Sequence, residues 1–534
     1  MQKPIAHRGP ASGTKGMAAS AHTLITASGI RVLENGGNAC DAALAMAFVS
    51  GVVLPDMCGL GGDVFALYYD AETGKITAVN SSGPLPRNAS VRKLKEAGIA
   101  VPLSDGIHSV TVPGAVDAYY AMAEKWGSLP VRELMDDAVR LCEEGFPLSA
   151  KVVRHMHTDL SRMKQYPGLA AMYLKDGKPY EAYERFSNPD LASMLRYLQE
   201  NGRDGFYHGL IRDRILACSE ENGGFFAPED FEGSFCEFRD PISVSYRGMR
   251  VWQTPPVSQG IIHLEELGIL SHFDPGSYGY GSAESIHLME QAKRIAFSDR
   301  RKYFGDPAFV SNPVKEVLDE NYTRRMAQQI RMDSCLEPES FLDHQPGDTT
   351  SFVCVDEKGN AVSFIHSIAN TWGSCLIPEG TGFLLNNRAA GFFFAEGHPN
   401  VYAPGKRTMH TLNTWLITEE DGTLRYVGNT PGGDNQPQWN MQTVVNLLDF
   451  GMDVQQALEH AKWTGIEKNG RHILRIEEQA GEETLQQLRK MGHELEVIPP
   501  FACSGASQLI EIRKDGVRLG GSDPRGDGCA MPQI

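Results

Sequence analysis

A β-hairpin that follows a Gly-Asp-Thr turn is the feature that most limits how this chain can fold. Phe352 to Val355 and Ala361 to Ile365 are β-prone runs, and a polar turn that contains a glycine separates them. Gly347, Asp348 and Thr349 stand directly before the first run. Glycine permits strained backbone angles, and a threonine hydroxyl can reach its own preceding carbonyl carbon. The pattern therefore fits an ordinary turn into a strand, and it also fits a site where the hydroxyl attacks the backbone in an N-to-O acyl shift.

The overall composition is that of a soluble globular protein. The chain has 534 residues, of which 41% are hydrophobic and 22% are charged. This length predicts about two to four domains. The formal net charge is −17 at pH 7, and the pI is about 5.4. Because an acidic surface repels duplex nucleic acid and anionic membranes, we expect neither as a partner.

The cysteines and the apolar segments bear on compartment and cofactors. The ten cysteines are scattered, with no CxxC pair and no zinc-type spacing, so the sequence predicts reduced thiols, no metal and no cofactor. Residues 1–16 lack an apolar core, and we expect no secretion signal there. The longest apolar segment, Ala42 to Leu54, is too short to span a bilayer. These features favour a cytoplasmic protein.

Hydrophobic periodicity predicts a mixed order of elements. A helix is expected from Ala21 to Leu33, and a second, buried helix from Ala42 to Val53. A glycine-rich turn at 58–63 then leads into a strand from Val64 to Tyr69. This helix-then-strand order is the reverse of a nucleotide-binding loop. Residues 333–348 have little periodicity, and the chain after them is predicted to be strand-rich through Ile417.

Two further segments are candidates for a binding or catalytic role. Gly432 and Gly433 present consecutive amides without side chains, which suits either an oxyanion hole or a simple turn. Arg388 follows a strand predicted from Gly382 to Leu385, where its guanidinium could grip a carboxylate or form a structural salt bridge. His155 and His157 could bind a metal, although the sequence suggests no third ligand and exposed helix positions explain them as well.

The sequence resembles the γ-glutamyltransferase family of N-terminal-nucleophile enzymes over nearly its whole length. The sequence has none of the HExxH, GxxxxGK[ST] or GxSxG motifs of other enzyme classes. The resemblance depends on segments that occur in the family's order: 35–42, 59–63, 112–114, 145–147, 296–300, 303–307, the Thr349 hairpin, 431–433 and 523–525.

The resemblance implies a fold and a mechanism. It implies an α+β protein with a four-layer αββα sandwich, made as one inactive chain. Self-cleavage between Asp348 and Thr349 would produce a large subunit (1–348) and a small subunit (349–534). Whether these subunits assemble into a higher oligomer is left open by the resemblance. Thr349 would become the nucleophile, and its freed α-amine, with a reference pKa of about 7.7–8.0, would act as the base. Ser367 matches the family's supporting hydroxyl, and the two glycines match its oxyanion hole.

Differences from the family concern the group that is recognised. The family's carboxylate-gripping Arg falls on Ser82, and its adjacent serines fall on His410 and Thr411. The positions of its ammonium ligands are occupied by Ala369, Arg388 and Gly391. Losing two charge-assisted hydrogen bonds, each worth about 1.5–3 kcal/mol, costs about a hundredfold or more in γ-glutamyl recognition.

These differences predict a pocket for an acyl group that carries a carboxylate and no amine. Arg388, His410 and Thr411 are the candidate carboxylate clamp. The pattern resembles the divergent branch of the family that includes oxamate amidohydrolase and acylase-like members. Our first hypothesis is thus a self-processing amidohydrolase for a small amide such as oxamate or a dicarboxylic monoamide. The alternatives are a γ-glutamyltransferase or glutathione hydrolase with a rebuilt substrate cage, and a non-catalytic binding protein on the same fold.

Overall fold

The described residues form two seven-stranded sheets, two smaller sheets of three and two strands, and a large set of helices. The structure, a computed structural model, describes residues 6–337, 347, 349–468 and 470–534. Asp348, the residue before the predicted cleavage point, lies outside the described residues, as does most of the irregular segment 333–348. The mixed content of helices and sheets confirms the α+β class.

The strands contain between two and seven residues each. They are β1 (Ala11–Gly13), β2 (Met17–Ser20), β3 (Asp63–Tyr69), β4 (Ile76–Ser81), β5 (Phe146–Pro147), β6 (Arg185–Phe186), β7 (Cys236–Arg239), β8 (Ile242–Tyr246), β9 (Met249–Gln253), β10 (Thr350–Val355), β11 (Ala361–Ser367), β12 (Trp415–Thr418), β13 (Leu424–Asn429), β14 (Trp463–Lys468), β15 (Arg471–Glu477), β16 (Glu494–Ile498), β17 (Gln508–Ile512), β18 (Arg518–Ser522) and β19 (Cys529–Pro532).

The helices lie mostly before residue 330, and one of them is interrupted at Gly202. They are α1 (Thr23–Glu34), α2 (Ala39–Val53), α3 (Val91–Glu96), α4 (Ala115–Trp126), α5 (Val131–Leu134), α6 (Asp136–Glu144), α7 (Ala150–Thr158), α8 (Leu160–Met163), α9 (Pro167–Tyr173), α10 (Pro189–Tyr207), α11 (Leu210–Glu221), α12 (Gly260–Leu270), α13 (Pro275–Tyr278), α14 (Ala283–Tyr303), α15 (Val314–Val317), α16 (Glu320–Ala327), α17 (Gln436–Leu448), α18 (Val454–Glu459) and α19 (Glu482–Lys490).

The predicted hairpin forms and lies in the middle of one sheet. That sheet has the order β19-β2-β10-β11-β3-β4-β7, and the other seven-stranded sheet has the order β1-β18-β17-β13-β12-β9-β8. The smaller sheets are β14-β15-β16 and β5-β6. Strands β10 and β11 pair antiparallel, with Phe352 opposite Phe364. Each seven-stranded sheet takes strands from both sides of residue 348, so the chain does not divide there into two separately folded domains. The division into subunits at that residue stays a prediction.

Both faces of β10 are buried, which explains why its sequence is apolar without alternation. Phe352 and Cys354 belong to a core cluster formed with α1, α2 and α4. Val353 and Val355 belong to a smaller cluster that also contains Val427 of the other sheet. A third cluster packs that other sheet against α12, α14 and α17. Because successive side chains of a strand point to opposite faces, each strand in this position contributes to two cores.

Helix α2 is buried on nearly every side, as predicted from its alanine-rich sequence. Asn38 caps its N-terminus: the Asn38 side chain accepts from the amides of Cys40 and Asp41, at 2.8 and 3.0 Å. The Asp41 carboxylate accepts in return from the Asn38 amide at 2.9 Å. This reciprocal capping box satisfies amides that a buried helix end would otherwise leave unpaired.

The segment between β11 and β12 differs from its prediction. We expected strands through Ile417, including one from Gly382 to Leu385, but residues 368–414 contain isolated bridges and turns instead. Leu385 makes one bridge, to Gly61. Positive φ angles at Gly380 and Gly382 prevent a regular strand here. Apolar residues of this segment are buried in the helix-rich core, where Phe383 stacks on Phe206 of α10 and Trp372 contacts Tyr173 of α9. Their hydrophobicity therefore reports burial and not a strand.

Two expectations about cysteines and membranes can be compared with the structure. All ten cysteines are free thiols, and most are buried. Among the described residues, no helix combines the length and the apolar character needed to cross a bilayer.

Candidate active site

The hairpin brings Thr349 and Ser367 together. Thr349 directly precedes β10, and Ser367 is the last residue of β11. The Thr349 hydroxyl donates to Ser367 Oγ at 3.2 Å, and Ser367 Oγ also accepts from the Ala369 amide at 2.8 Å. Both hydroxyls belong to buried residues, with 2% and 1% of the residue exposed. A buried hydroxyl that is oriented by a second hydroxyl is suited to nucleophilic attack.

The glycine-rich turn before β3 packs closely against this pair. A Cβ atom at Gly62 would lie 2.4 Å from the carbonyl oxygen of Ser367, so only glycine fits there. The turn follows α2 and leads into β3, in agreement with the predicted helix-then-strand order. Its role is therefore the close approach of two backbone segments beside Thr349.

Gly432 and Gly433 form a turn that lies beside the chain leading into Thr349. Their φ angles are +131° and +57°, and a Cβ at Gly432 would lie 2.3 Å from the Trp439 ring. A 3-10 turn, Gly433–Asn435, connects them to the N-terminus of α17. Gly347, two residues before Thr349, lies directly against Gly433. Amides at a helix N-terminus carry partial positive charge, which suits stabilisation of a developing oxyanion.

Two residues that the sequence analysis missed hold this turn in place. Gln259 Nε2 donates to the carbonyl of Gly433 at 2.9 Å and also to the carbonyl of Thr411. Arg300 pairs with Asp434 at 2.5 Å. Gln259 precedes α12 in a loop without a recognisable motif, so no local signal could have identified it. Arg300 stood in one of the segments that matched the family, although no role was assigned to it.

Arg388 has a buried counter-ion that the sequence analysis also missed. Its Nε donates to Asp63 Oδ2 at 3.1 Å, and its Nη1 donates to Thr411 Oγ1 at 3.3 Å. Asp63 is the first residue of β3 and is paired with Ser367 in the sheet register. Arg388 Nη2 is buried and has no hydrogen-bond partner among the residues that the structure describes. An unsatisfied buried guanidinium N–H is costly unless a ligand completes it.

His410 lies behind Arg388 and does not line the cavity described below. Its Nε2 donates to Asp63 Oδ2 at 3.2 Å, and its Nδ1 accepts from the Leu412 amide at 3.3 Å. Burial, with Arg388 nearby, lowers the pKa of His410 from its ordinary value near 6.5 to about 4. A neutral imidazole held in this way positions Asp63 and, through it, Arg388. The predicted contact between His410 and substrate has no geometric support here, whereas Arg388 and Thr411 both line the cavity.

A cavity of about 190 Å³ lies in front of Arg388. Arg388, Thr411, Asn370 and Gly347 are among the residues that line it. No described lining residue carries a carboxylate, and Arg388 is the one charged side chain among them. The cavity is smaller than the roughly 300–1,000 Å³ of pockets for drug-sized ligands. It is an electropositive pocket for a small group, next to the chain that leads into Thr349.

The other positions that match the family's substrate cage offer no charged side chain to a ligand. Ser82 is buried, and its hydroxyl donates to Asn80 Oδ1 at 3.0 Å. Ala369 and Gly391 line the cavity without offering a polar side chain. Outside the site, His155 Nδ1 lies 2.5 Å from Oδ2 of the buried Asp56, and this hydrogen bond accounts for the position of the histidine.

The low pKa of His410 predicts how stability depends on pH. In the unfolded chain His410 takes up a proton below about pH 6.5, whereas in the folded protein it stays neutral down to about pH 4. The folded state is therefore fully stable with respect to this group above pH 6.5 and loses stability as the pH falls toward 4. We expect His410→Asn to make the fall in unfolding free energy between pH 6.5 and 4.5 shallower by about 1.4 kcal/mol per pH unit. Urea unfolding measures this slope. Both proteins carry Thr349→Ala, which is expected to prevent cleavage and keep each protein as a single chain. Equal slopes with and without His410 would contradict the lowered pKa of this histidine. Above pH 7 the two proteins should show the same dependence on pH, which serves as the internal control.

Comparison with known proteins identifies the family of the chain. The sequence profile of the γ-glutamyltranspeptidase family matches residues 26–533. A glutathione hydrolase-like proenzyme of Bacillus subtilis is 36% identical, over 97% of this chain and 98% of the relative. The oxamate amidohydrolase proenzyme of Klebsiella pneumoniae is 30% identical, over 97% and 98%. The crystal structure of cephalosporin acylase from Bacillus halodurans matches with a TM-score of 0.92 and 31% identity, over 99% and 98%.

The chain belongs to the γ-glutamyltranspeptidase family. Its relatives are amide hydrolases or transpeptidases, and this protein is an enzyme of that class. The relatives named as proenzymes are chains that undergo processing, which is the family's route to two subunits. The resemblance inferred from the ordered sequence segments is confirmed.

Proposed function

We propose that this protein is a self-processing amidohydrolase whose nucleophile is Thr349. In the intact chain, the Thr349 hydroxyl would attack the carbonyl carbon of Asp348, and hydrolysis of the resulting ester would free the Thr349 amine. That amine would then take the hydroxyl proton when the same oxygen attacks a substrate amide. The bond from Thr349 to Ser367 supports this role, as does the position of Gly433 beside Gly347.

The proposed substrate is a small amide whose acyl part carries a carboxylate and no amine. The observation that carries this proposal is the buried, unsatisfied Arg388 Nη2, together with a cavity whose described lining contains no carboxylate. A substrate carboxylate would complete the hydrogen bonding of Arg388, and Thr411 Oγ1 could donate a second bond. An α-ammonium group would find no counter-ion there and would be repelled by Arg388. Oxamate and the monoamides of succinate or glutarate fit this description.

The architecture proposed with this function is the four-layer αββα sandwich. The core cluster shared by the two sheets and the helix clusters on their outer faces support it. We also propose the subunit division at 348. Because both sheets contain strands from each part, the two subunits would remain associated after cleavage.

A second candidate function is γ-glutamyl transfer or glutathione hydrolysis with a rebuilt cage. The relative that is 36% identical has a glutathione hydrolase-like name, which is the observation in its favour. In that case Arg388 would have to bind the α-carboxylate, and the ammonium would need a ligand beyond the described lining.

A panel of amides distinguishes the two candidates. After N-terminal sequencing has located the break before Thr349, amine release is measured with oxamate, succinate and glutarate monoamides, and glutathione. Acetamide and propionamide are the controls that lack a carboxylate. We expect kcat/KM for at least one carboxylate-bearing monoamide to exceed that of its uncharged control by about tenfold to a hundredfold. Preferred turnover of glutathione, accelerated by a dipeptide acceptor, would instead support the second candidate.

A further inference from the structure

Three side chains far from the active site bring metal-binding atoms together. His287 lies on α14, Cys335 lies near the end of the described range 6–337, and His493 lies between α19 and β16. A ring nitrogen of each histidine and the Cys335 sulfur are all within 4.8 Å of one another. The residues are so far apart in sequence that no zinc-type spacing could reveal them.

The hydrogen bonds determine which ring atoms carry protons. His287 Nε2 lies 2.7 Å from the carbonyl oxygen of Arg331 and must therefore donate to it. In a neutral ring, His287 Nδ1 then carries a lone pair, and it accepts from His493 Nε2 at 2.8 Å. In a neutral His493 ring that donates from Nε2, the other nitrogen, Nδ1, has a lone pair and no proton.

This arrangement leaves an unfavourable contact. His493 Nδ1 is buried and has no hydrogen-bond partner among the described residues. It faces Glu290 Oε2 at 3.9 Å, so two atoms with lone pairs face each other without a proton between them. Glu290 cannot readily turn away, because Arg294 Nε holds both of its carboxylate oxygens at 2.8 and 2.9 Å. A buried polar atom in this position requires an explanation.

We propose that His287, Cys335 and His493 bind a zinc ion. The ion would replace the proton shared by the two imidazoles and would bond to His287 Nδ1, His493 Nε2 and Cys335 Sγ. The His493 proton would move to Nδ1 and point at Glu290, and the Cys335 thiol would release its proton to solvent. Two imidazoles and one thiolate are a ligand set that zinc prefers, and a water can complete the tetrahedron.

The surroundings match those of metal-bound histidines in other proteins. Such histidines donate their second ring N–H to a carbonyl or a carboxylate, which orients the ring. Here Arg331 O serves His287, and Glu290 would serve His493. With bonds to zinc of about 2.0–2.1 Å for nitrogen and 2.3 Å for sulfur, the two imidazole nitrogens, now 2.8 Å apart, would separate slightly to admit the ion, and the Cys335 sulfur lies within 4.8 Å of a nitrogen of each ring.

The position of the site suggests its effect. His287 and Cys335 belong to the proposed large subunit, and His493 belongs to the proposed small subunit. If the chain is cut before Thr349, as proposed above, the zinc ion would link the two subunits. The site itself does not depend on that cleavage, because all three ligands are close together in the intact chain.

Cobalt substitution tests the site directly. The full-length protein is treated with a chelator, freed of it, and titrated with Co²⁺, both as wild type and as the uncleaved, inactive Thr349→Ala variant. We expect a thiolate-to-cobalt charge-transfer band that saturates at one ion per chain in both proteins and is abolished by zinc. A cysteine thiol, with an ordinary pKa of about 8.5, is mostly protonated near pH 7 and must lose its proton to bind a metal, so about one proton should be released per ion bound.

Ligand variants and a matched control complete the test. Cys335→Ala should abolish the band, and His493→Gln should weaken zinc binding on the order of a hundredfold or more. Cys529→Ala, which removes another partly buried thiol on β19, should change neither. If the ligand variants fold poorly, alkylation of wild-type protein with iodoacetamide gives the answer, because zinc should protect Cys335 and not Cys529. Absence of the thiolate band in wild type, or equal labelling of Cys335 with and without zinc, would overturn the proposal.

Discussion

Thr349→Ala is expected to keep the chain in one piece of 534 residues and to reduce amide hydrolysis by a factor of about 10,000 or more. Alanine removes the hydroxyl that would attack both the backbone and the substrate. The fold should survive, because among the described residues the Thr349 side chain is hydrogen-bonded to Ser367 alone. Denaturing gels follow the cleavage, and amine release follows the hydrolysis.

Two controls separate chemistry from packing. Thr350→Val changes the adjacent, equally buried threonine and keeps its shape, so cleavage and hydrolysis should both persist. Thr349→Ser retains a hydroxyl and should retain cleavage at a reduced rate. If Thr349→Ala were still cut at the same bond, or hydrolysed amides at the wild-type rate, the proposed nucleophile would be wrong.

Removing the charge of Arg388 is expected to raise KM for carboxylate-bearing amides by about tenfold to a hundredfold, with kcat changing little. The structure shows that Arg388→Ala alone is a poor test. It would leave the buried Asp63 carboxylate without its counter-ion, and losing one partner of a buried pair costs about 3–5 kcal/mol of stability. The better variant is Arg388→Gln combined with Asp63→Asn, which keeps a neutral hydrogen-bonding pair.

Steady-state kinetics and the state of the chain are both measured for this double variant. Self-cleavage should persist, and any turnover of an uncharged amide should be unchanged, since neither depends on a substrate carboxylate. The matched control is Arg425→Gln with Glu511→Gln, which removes a half-buried ion pair in the other sheet. Unchanged KM for every carboxylate-bearing substrate would exclude Arg388 as the clamp.

Local elements were predictable because their signals lie within a few residues. The alanine-rich run predicted a buried α2, and the helix forms with a capping box one turn earlier than expected. The β10–β11 hairpin was predictable from its two apolar runs and polar turn. The strand expected from Gly382 to Leu385 was wrong, because backbone angles at nearby glycines, rather than hydrophobicity, determine the path of that segment.

The candidate site also contains residues that the sequence predicted and residues that it missed. Thr349, Ser367 and the two glycines were identified because they occur in recognisable segments; the structure joins Thr349 to Ser367 by a hydrogen bond and places Gly433 against Gly347. Asp63 and Gln259 were missed as site residues because their roles arise from partners more than 150 positions away. His410 was expected to face substrate, and it lies behind Arg388 because the Asp63 carboxylate accepts from its Nε2.

The sequence by itself determined the family and the hairpin that follows Thr349, and it predicts the loss of the family's usual amine ligands. Each of these depends on residue identity at a matched position or on short-range periodicity. Only the tertiary structure decided that Asp63 is the counter-ion of Arg388 and that Arg388 Nη2 has no partner among the described residues. It also showed that the described lining of the cavity contains no carboxylate. The meeting of His287, Cys335 and His493 likewise became visible only in the folded chain. Charge balance and burial are sums over neighbours from distant parts of the chain, and those neighbours are known only once the chain has folded.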